Sequence, residues 1–206
     1  MGNAYEFDEI AHNVFYPIYP MIAEMIKRDT KITEGVCLDI GCGGGHLGLA
    51  LMQNTDLDII FLDCDKDALE IASNRIKECK SDTRSKLLLC SVEDILLEDA
   101  SCDLIVSRGS LWFWEDKVKS FKEISRVLKK NGSAYIGCGF GNEEVRKDIY
   151  KKMTERTGED WENRRKTFTT GKDAEFYESI LKEAEITNFR IKDDEEGLWI
   201  IINKQE

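Results

Sequence analysis

The chain has 206 residues, a length that predicts one well-filled hydrophobic core. Its 40 acidic and 29 basic residues give a formal net charge of −11, which argues against a nucleic-acid partner because such binding needs a basic face. Neither a signal peptide nor an apolar run of membrane-spanning length is visible, so we expect a soluble cytoplasmic protein without a membrane partner. The seven cysteines form no Cys-x-x-Cys pair, which predicts free thiols rather than disulfides or a metal site.

The first predicted element is a helical cap over residues 3–34. Apolar residues recur there at helical spacing, among them Ile10, Val14 and Ile22. Proline lacks a backbone N–H and clashes with the preceding helical turn, so Pro17 and Pro20 are predicted to divide this cap.

A glycine-rich turn comes next, between a predicted strand at 36–40 and a helical stretch at 47–52. Its glycines are Gly41, Gly43, Gly44 and Gly45. Glycine admits a left-handed backbone and the close approach of a ligand, and the free N–H groups that begin a helix favour an anionic or polar group. The pattern therefore predicts a nucleotide-like ligand at this turn.

Two classes of nucleotide site fit such a turn. A dinucleotide fingerprint, Gly-x-Gly-x-x-Gly, places its third glycine at His46 when it is counted from Gly41. Counting from Gly43 restores the spacing through Gly45 and Gly48, but that start lies three residues beyond the strand. An NAD-dependent oxidoreductase therefore stays as an alternative.

The same turn resembles the first motif of class I S-adenosylmethionine-dependent methyltransferases, Asp-x-Gly-x-Gly-x-Gly. Asp39, Gly41, Gly43 and Gly45 match this motif in register. The resemblance extends over residues 35–203 and is nearest to the small ubiquinone/menaquinone-biosynthesis-like branch. It implies S-adenosyl-L-methionine as the cofactor, bound by these four residues together with Cys42.

The rest of the chain alternates strands with helices, as in an α/β protein with a parallel sheet. Further parallel strands are predicted at 58–63, 86–90, 103–107 and 133–138. Helices are predicted at 65–77 and 116–129, with Asn131-Gly132 ending the second one.

The last third departs from this alternation. A charged helical insertion at 140–172 precedes a helix at 173–184 and two strands at 188–192 and 198–203. The acidic turn at 193–197 is too short for a parallel crossover, so these strands form an antiparallel hairpin. The resemblance then implies a Rossmann-like, seven-stranded, mostly parallel sheet with helices on both faces. Within one methyltransferase domain, we expect a cap (3–34), a cofactor-binding core (35–139), the insertion (140–172) and a final helix and hairpin (173–206).

Asp63 closes the second strand, where a carboxylate can accept hydrogen bonds from both hydroxyls of a ribose. The resemblance makes it the ribose-binding acid. The alternative role is a helix N-cap, which Asp65 suits better. Ser91 stands where the family often has an adenine-binding acid, and this contact could fall to Glu93, Asp94 or water instead. The other cofactor-binding residues implied by the resemblance are Cys64, Val92, Ser107, Arg108 and Tyr19.

Three consecutive aromatic residues follow the fourth strand. We expect Trp112 and Trp114 to wall an acceptor pocket together with Phe140 and His12, and Phe113 to seal the core. Aromatic faces there could also contact the sulfonium cation. No residue is a convincing general base, so no catalytic residue is predicted.

These residues predict transfer of a methyl group from S-adenosylmethionine to a small molecule. No metal-ligand constellation is visible, so no metal is expected. The alternative from another class is a non-catalytic S-adenosylmethionine-binding subunit or sensor.

Overall fold

A seven-stranded sheet forms the centre of the computed structural model, which describes residues 3–194 and 197–205. The strands lie in the order β3-β2-β1-β4-β5-β7-β6. Strands β1 to β5 are parallel, and β7 is antiparallel to both of its neighbours. This confirms the predicted fold class. The bounds are β1 (Glu34–Ile40), β2 (Asp56–Asp63), β3 (Ser85–Leu89), β4 (Cys102–Arg108), β5 (Leu128–Gly139), β6 (Phe189–Asp194) and β7 (Gly197–Asn203).

Eight α-helices surround the sheet in the described part of the chain. They are α1 (Ala4–Ile10), α2 (Ile18–Thr30), α3 (His46–Asn54), α4 (Lys66–Glu78), α5 (Lys117–Val127), α6 (Glu143–Thr157), α7 (Trp161–Thr169) and α8 (Ala174–Glu183). Six of them begin at an Asp or Asn whose side chain accepts a hydrogen bond from a backbone N–H of the first turn. Such caps satisfy donors that have no partner inside the helix, and they fix where each helix starts.

The core lies on both faces of the sheet. Leu104 and Val106 pack with α2 and α3 on one face, while Ile105 packs with α5 and α8 on the other. Burial on both faces explains why the central parallel strands are almost entirely apolar.

The chain leaves β1 towards β2 and β3, then returns to place β4 on the other side of β1. In open α/β sheets, a crevice for ligands opens at this reversal, beyond the carboxyl ends of the strands. The glycine-rich turn after β1 and the segment after β4 therefore face the same crevice.

The predicted end of the helix at 116–129 is wrong. Helix α5 ends at Val127, not beyond Lys129, because Leu128 is already extended and pairs with Cys102. The Lys204 ammonium donates to the carbonyls of Ser125 and Leu128 and so satisfies the helix end from a distant part of the chain.

Pro20 also does not interrupt the cap. A π-helical turn (Ala11–Phe15) precedes Pro17, which is the N-cap of α2, so Pro20 lies in the first turn. The N–H that proline lacks would have no intrahelical partner at that position.

In the terminal hairpin, Glu195 and Glu196 of the predicted turn lie outside the described residues. Among the residues that are described, no helix is long and apolar enough to cross a membrane. The same residues contain no cluster of three His, Cys, Asp or Glu side chains suited to a metal ion.

Candidate functional site

The glycine-rich turn adopts a backbone that requires its glycines. Gly41, Gly43 and Gly45 have φ values of 63°, 51° and 79°, in the left-handed region that L side chains rarely adopt. A Cβ added to Gly43 would project into open space, with no protein atom within 4 Å. The turn is tied to the neighbouring strand because the Cys42 N–H donates to the Leu62 carbonyl at 3.0 Å.

The Asp39 side chain lies on the buried side of this turn and not on the side that faces the crevice. Its carboxylate is buried and accepts a hydrogen bond from the Gly48 N–H of α3 at 3.0 Å. Burial, reinforced by the nearby negative charge of Asp63, raises the pKa of Asp39 to about 7. Asp39 therefore joins β1 to the helix that follows the turn.

Asp63 reaches the turn from the end of β2. One carboxylate oxygen accepts from the Gly43 N–H at 2.9 Å and the other from the Asp65 N–H at 3.0 Å. Burial raises its pKa. Asp65 caps α4 through the Asp67 N–H, so the capping role falls to Asp65. A carboxylate offers about four lone-pair sites, so Asp63 can still accept from ligand hydroxyls.

The segment after β3 lies beside Asp63, because the Cys90 N–H donates to the Asp63 carbonyl at 3.2 Å. The Glu93 carboxylate accepts from the Ser91 hydroxyl and from the Glu115 N–H. Burial alone would raise the pKa of Glu93, but these hydrogen bonds outweigh it and lower the pKa. The Val92 side chain is buried, whereas Cys64 at the end of β2 is exposed.

The end of β4 supplies a cation. The Arg108 guanidinium lies 4.8 Å from the centroid of the Phe15 ring and 5.7 Å from that of Tyr19. Its Nε is buried and makes no hydrogen bond in the described structure. The next residue, Gly109, has a φ of 85° and open space where a Cβ would lie. Ser107 is fully buried and shares a hydrogen bond with Ser110 at 2.6 Å between the two hydroxyl oxygens.

The N-terminal cap contributes a contact that the sequence did not predict. Asp8 on α1 bonds His46 at 3.0 Å and accepts from Arg75 at 2.8 Å, and Arg75 also donates to the Gly44 carbonyl. Tyr19 stacks on His46 with the two ring centroids 5.0 Å apart. Asp8 and Arg75 are 67 positions apart, so no local pattern could have linked them.

His12 is exposed on the π-helical turn, with its ring centroid 6.1 Å from that of His46. It therefore lies above the start of α3 and does not line the predicted acceptor pocket.

The three consecutive aromatic residues differ from the prediction in which of them are buried. Trp114 is buried in the core against Phe121, and its indole N–H donates to Ser110, whereas Phe113 is 54% exposed. The prediction that Trp114 walls the pocket and Phe113 seals the core is wrong on both counts. Trp112 and Phe113 lie in the 3₁₀ turn Leu111–Phe113, and Trp114 follows it. Side chains three positions apart share a side of such a turn, so Trp114 joins Leu111 in the core. Trp112 and Phe140 do line a cavity of about 270 Å³.

Together these features fit a nucleoside with a polar tail. Gly43 and Gly109 leave room where a side chain would intrude, Asp63 offers acceptors, and Arg108 offers an unused donor. The Phe7 and Phe113 rings meet edge to face with centroids 6.5 Å apart, so the cap also contacts the segment after β4.

Comparison with known proteins identifies the family. The Methyltransferase domain family matches residues 38–136. A solved structure from Methanococcus maripaludis, assigned to the S-adenosyl-L-methionine-dependent methyltransferases, is 41% identical. The match covers 98% of this chain and 92% of that one, with a TM-score of 0.94.

Two curated relatives match the chain over shorter lengths. The uncharacterized methyltransferase YcgJ of Bacillus subtilis is 32% identical over 108 residues, 52% of this chain and 42% of the relative. The ubiquinone/menaquinone biosynthesis C-methyltransferase of Citrifermentans bemidjiense is 26% identical over 113 residues, 54% of this chain and 48% of the relative. The chain thus spans about half the length or less of these two relatives.

The chain belongs to the class I S-adenosylmethionine-dependent methyltransferases. Its cofactor is accordingly S-adenosyl-L-methionine, as the sequence predicted, and the dinucleotide alternative loses its support.

Proposed function

We propose that this chain transfers the methyl group of S-adenosylmethionine to a small-molecule acceptor. The observation that carries the proposal is the pair formed by Gly43 and Asp63, a left-handed glycine open to the crevice and a carboxylate that touches its N–H. This pair lies at the reversal of strand order, where such sheets bind their ligands.

When bound, S-adenosylmethionine supplies a methyl group that its sulfonium has already activated. The protein then has to hold the two reactants in line, and such positioning can contribute several kcal/mol, up to roughly 7–11 kcal/mol. Asp63 would bind the ribose, Gly43 would admit the nucleoside, and Arg108 would orient a carboxylate at the far end. No side chain of the described site is assigned as a general base.

The direct test is calorimetric titration of the purified chain with S-adenosylmethionine, S-adenosylhomocysteine and NADH, followed by transfer of labelled methyl groups to a pool of metabolites. We expect both sulfur compounds to bind and label to appear in small molecules. Binding of NADH alone would refute the proposal. Cofactor binding without any transfer would instead favour the sensor or subunit, and label found in protein but in no small molecule would contradict a small-molecule acceptor.

Asp63→Ala is expected to weaken S-adenosylhomocysteine binding by about 1–3 kcal/mol, because the ligand and the Gly43 N–H both lose a charged hydrogen-bond acceptor. Asp65→Ala is the matched control, since it removes a helix cap two residues away and costs about 1 kcal/mol of stability without altering ligand affinity. Calorimetry and thermal unfolding of both variants measure the two effects. Equal affinities in both variants would leave Asp63 with a purely structural role.

The location of the protein is part of the same proposal. All seven cysteines are free thiols, three of them buried, which supports a reducing compartment such as the cytoplasm.

A further inference from the structure

A cluster of charged side chains, separate from the glycine-rich turn, lies beside the crevice, beyond the ends of β4 and β5. It surrounds the cavity of about 270 Å³, which α6, α7 and the hairpin β6–β7 enclose. Aromatic side chains form part of its wall, and three cations line it, namely Arg146, Arg165 and Lys172. Its volume lies just below the roughly 300–1,000 Å³ typical of pockets for drug-sized ligands, so the cavity suits a small ligand with both polar and apolar parts.

Arg165 is fixed at this cavity by aromatic contacts. Its guanidinium carbon lies 4.7 Å from the centroid of Phe140 and 6.0 Å from that of Tyr150. It donates to the Tyr150 hydroxyl at 3.3 Å and contacts the Cys138 sulfur at 3.7 Å. These contacts use two of the five N–H groups that a guanidinium carries, which leaves others for a ligand.

Among the described residues, Arg146 pairs with the Glu143 carboxylate at 3.9 Å, whereas the other two cations of this cavity have no acidic partner. Across the described residues, no ion pair joins Arg165 or Lys172 to a carboxylate, although both side chains are half-buried. The Lys172 ammonium instead lies 5.8 Å from the Trp112 ring centroid. Burial of Lys117 lowers the pKa of Lys117, and the nearby charge of Lys172 lowers it further. A half-buried cation without a counter-charge is unfavourable unless a ligand supplies one.

Acidic side chains do line the same cavity, at Asp173, Asp193 and Asp194. All three are exposed, and Asp173 uses one oxygen to accept from the Phe176 N–H as the cap of α8. The cations therefore lie deeper and the acids nearer to solvent, so the interior favours an anion.

We propose that this cavity binds the methyl acceptor, and that the acceptor is a flat molecule carrying a carboxylate or phosphate held by Arg165. The inference rests on the proposed function, because it assigns the acceptor of that reaction. A guanidinium pairs with both oxygens of such a group, and Trp112 and Tyr150 supply faces for a ring.

The cavity is placed correctly for this role. Phe140 follows β5 and Trp112 follows β4, whereas the glycine-rich turn follows β1, two strands away from β5. Neighbouring strands lie about 4.8 Å apart, so the ends of β1 and β5 are about 10 Å from each other. Phe140 also lies 5.8 Å from the Arg108 guanidinium, which borders the cofactor crevice.

The test uses ligand-observed NMR titration of the full chain with benzoate, phenyl phosphate and the uncharged benzyl alcohol, in the presence of S-adenosylhomocysteine. We expect saturable binding of at least one anion, weakened about tenfold in Arg165→Gln, as for the loss of one charged hydrogen bond. The preferred anion distinguishes a carboxylate acceptor from a phosphate acceptor. Arg164→Gln is the matched control, because this neighbour is exposed, pairs with Glu159 and should leave anion binding unchanged.

Three results would overturn the inference. These are no saturable binding of either anion, equal loss in both arginine variants, or binding of benzyl alcohol as tight as that of the anions. Calorimetry with S-adenosylhomocysteine keeps this test separate from the proposed function. If that compound fails to bind the wild-type chain, the proposed function fails, while the anion titration, repeated without it, still reports on Arg165.

Discussion

Gly43→Val is expected to abolish measurable binding of S-adenosylmethionine, with a loss of about 100-fold or more. The new side chain would fill the open space beside Asp63, where no protein atom lies within 4 Å of the added Cβ. A valine at a φ of 51° is also strained, so the turn itself would distort. Isothermal calorimetry measures the loss directly.

The control for this substitution is Gly158→Val. Gly158 has a φ of 70° and equally open surroundings, but it ends α6 on the surface. Both variants should lose about 1–3 kcal/mol of stability from backbone strain, whereas only the first should lose the ligand. Full affinity in Gly43→Val would show that no ligand occupies the space next to the turn.

Asp39→Asn is expected to make the ligand-free protein more stable than the wild type at pH 8. The pKa of Asp39 is raised in the folded chain from 3.8 to about 7, because burial disfavours its charged form. The raised pKa stabilises the folded chain fully below pH 4, where Asp39 is protonated. This stabilisation is lost as the pH rises towards 7. At pH 8 the wild type therefore bears a cost on the order of 2–4 kcal/mol that the amide avoids. The amide oxygen still accepts from the Gly48 N–H.

Denaturant unfolding from pH 5 to pH 8 checks this prediction, and the variant should show the flatter profile. Asp29→Asn gives the opposite sign. Burial would raise the pKa of Asp29, but hydrogen bonds from Lys192 and Arg28 outweigh it and lower the pKa. That variant should be less stable than the wild type at pH 8. Because the lowered pKa lies below 3.8, the difference should stay constant down to pH 5 and shrink only below pH 4. If the free energies of unfolding of Asp39→Asn and the wild type changed with pH in parallel, ionisation of Asp39 would carry no free-energy cost in the folded chain.

Local sequence patterns predicted the parts of the fold that depend on short-range physics. Periodicity located the strands, and the glycine spacing located the turn, because a left-handed backbone restricts the residue type. That Asp65 and not Asp63 caps α4 also followed from its position at the helix start.

The features that were missed depend on residues far apart in the chain. Arg75 donates to Asp8 over the turn, and Lys204 donates to carbonyls at the end of α5 that lie 76 and 79 positions away in the sequence. Periodicity also could not separate Phe113 from Trp114, since a 3₁₀ turn of three residues has too few positions to show a repeat. The sequence placed Trp112 and Phe140 at a pocket but did not link Arg165 to it, because the wall of this cavity is assembled from segments far apart in the chain.

The division of the crevice has an evolutionary consequence. Under the proposed function, the turn after β1 and the end of β2 hold one reactant, whereas α6 and α7 contribute Arg146, Tyr150, Arg165 and Thr169 to the wall around the other. Mutations in those two helices can therefore remodel one binding surface while the glycines and Asp63 stay under unchanged selection. A lineage with this architecture can exchange its acceptor without first having to give up its methyl donor.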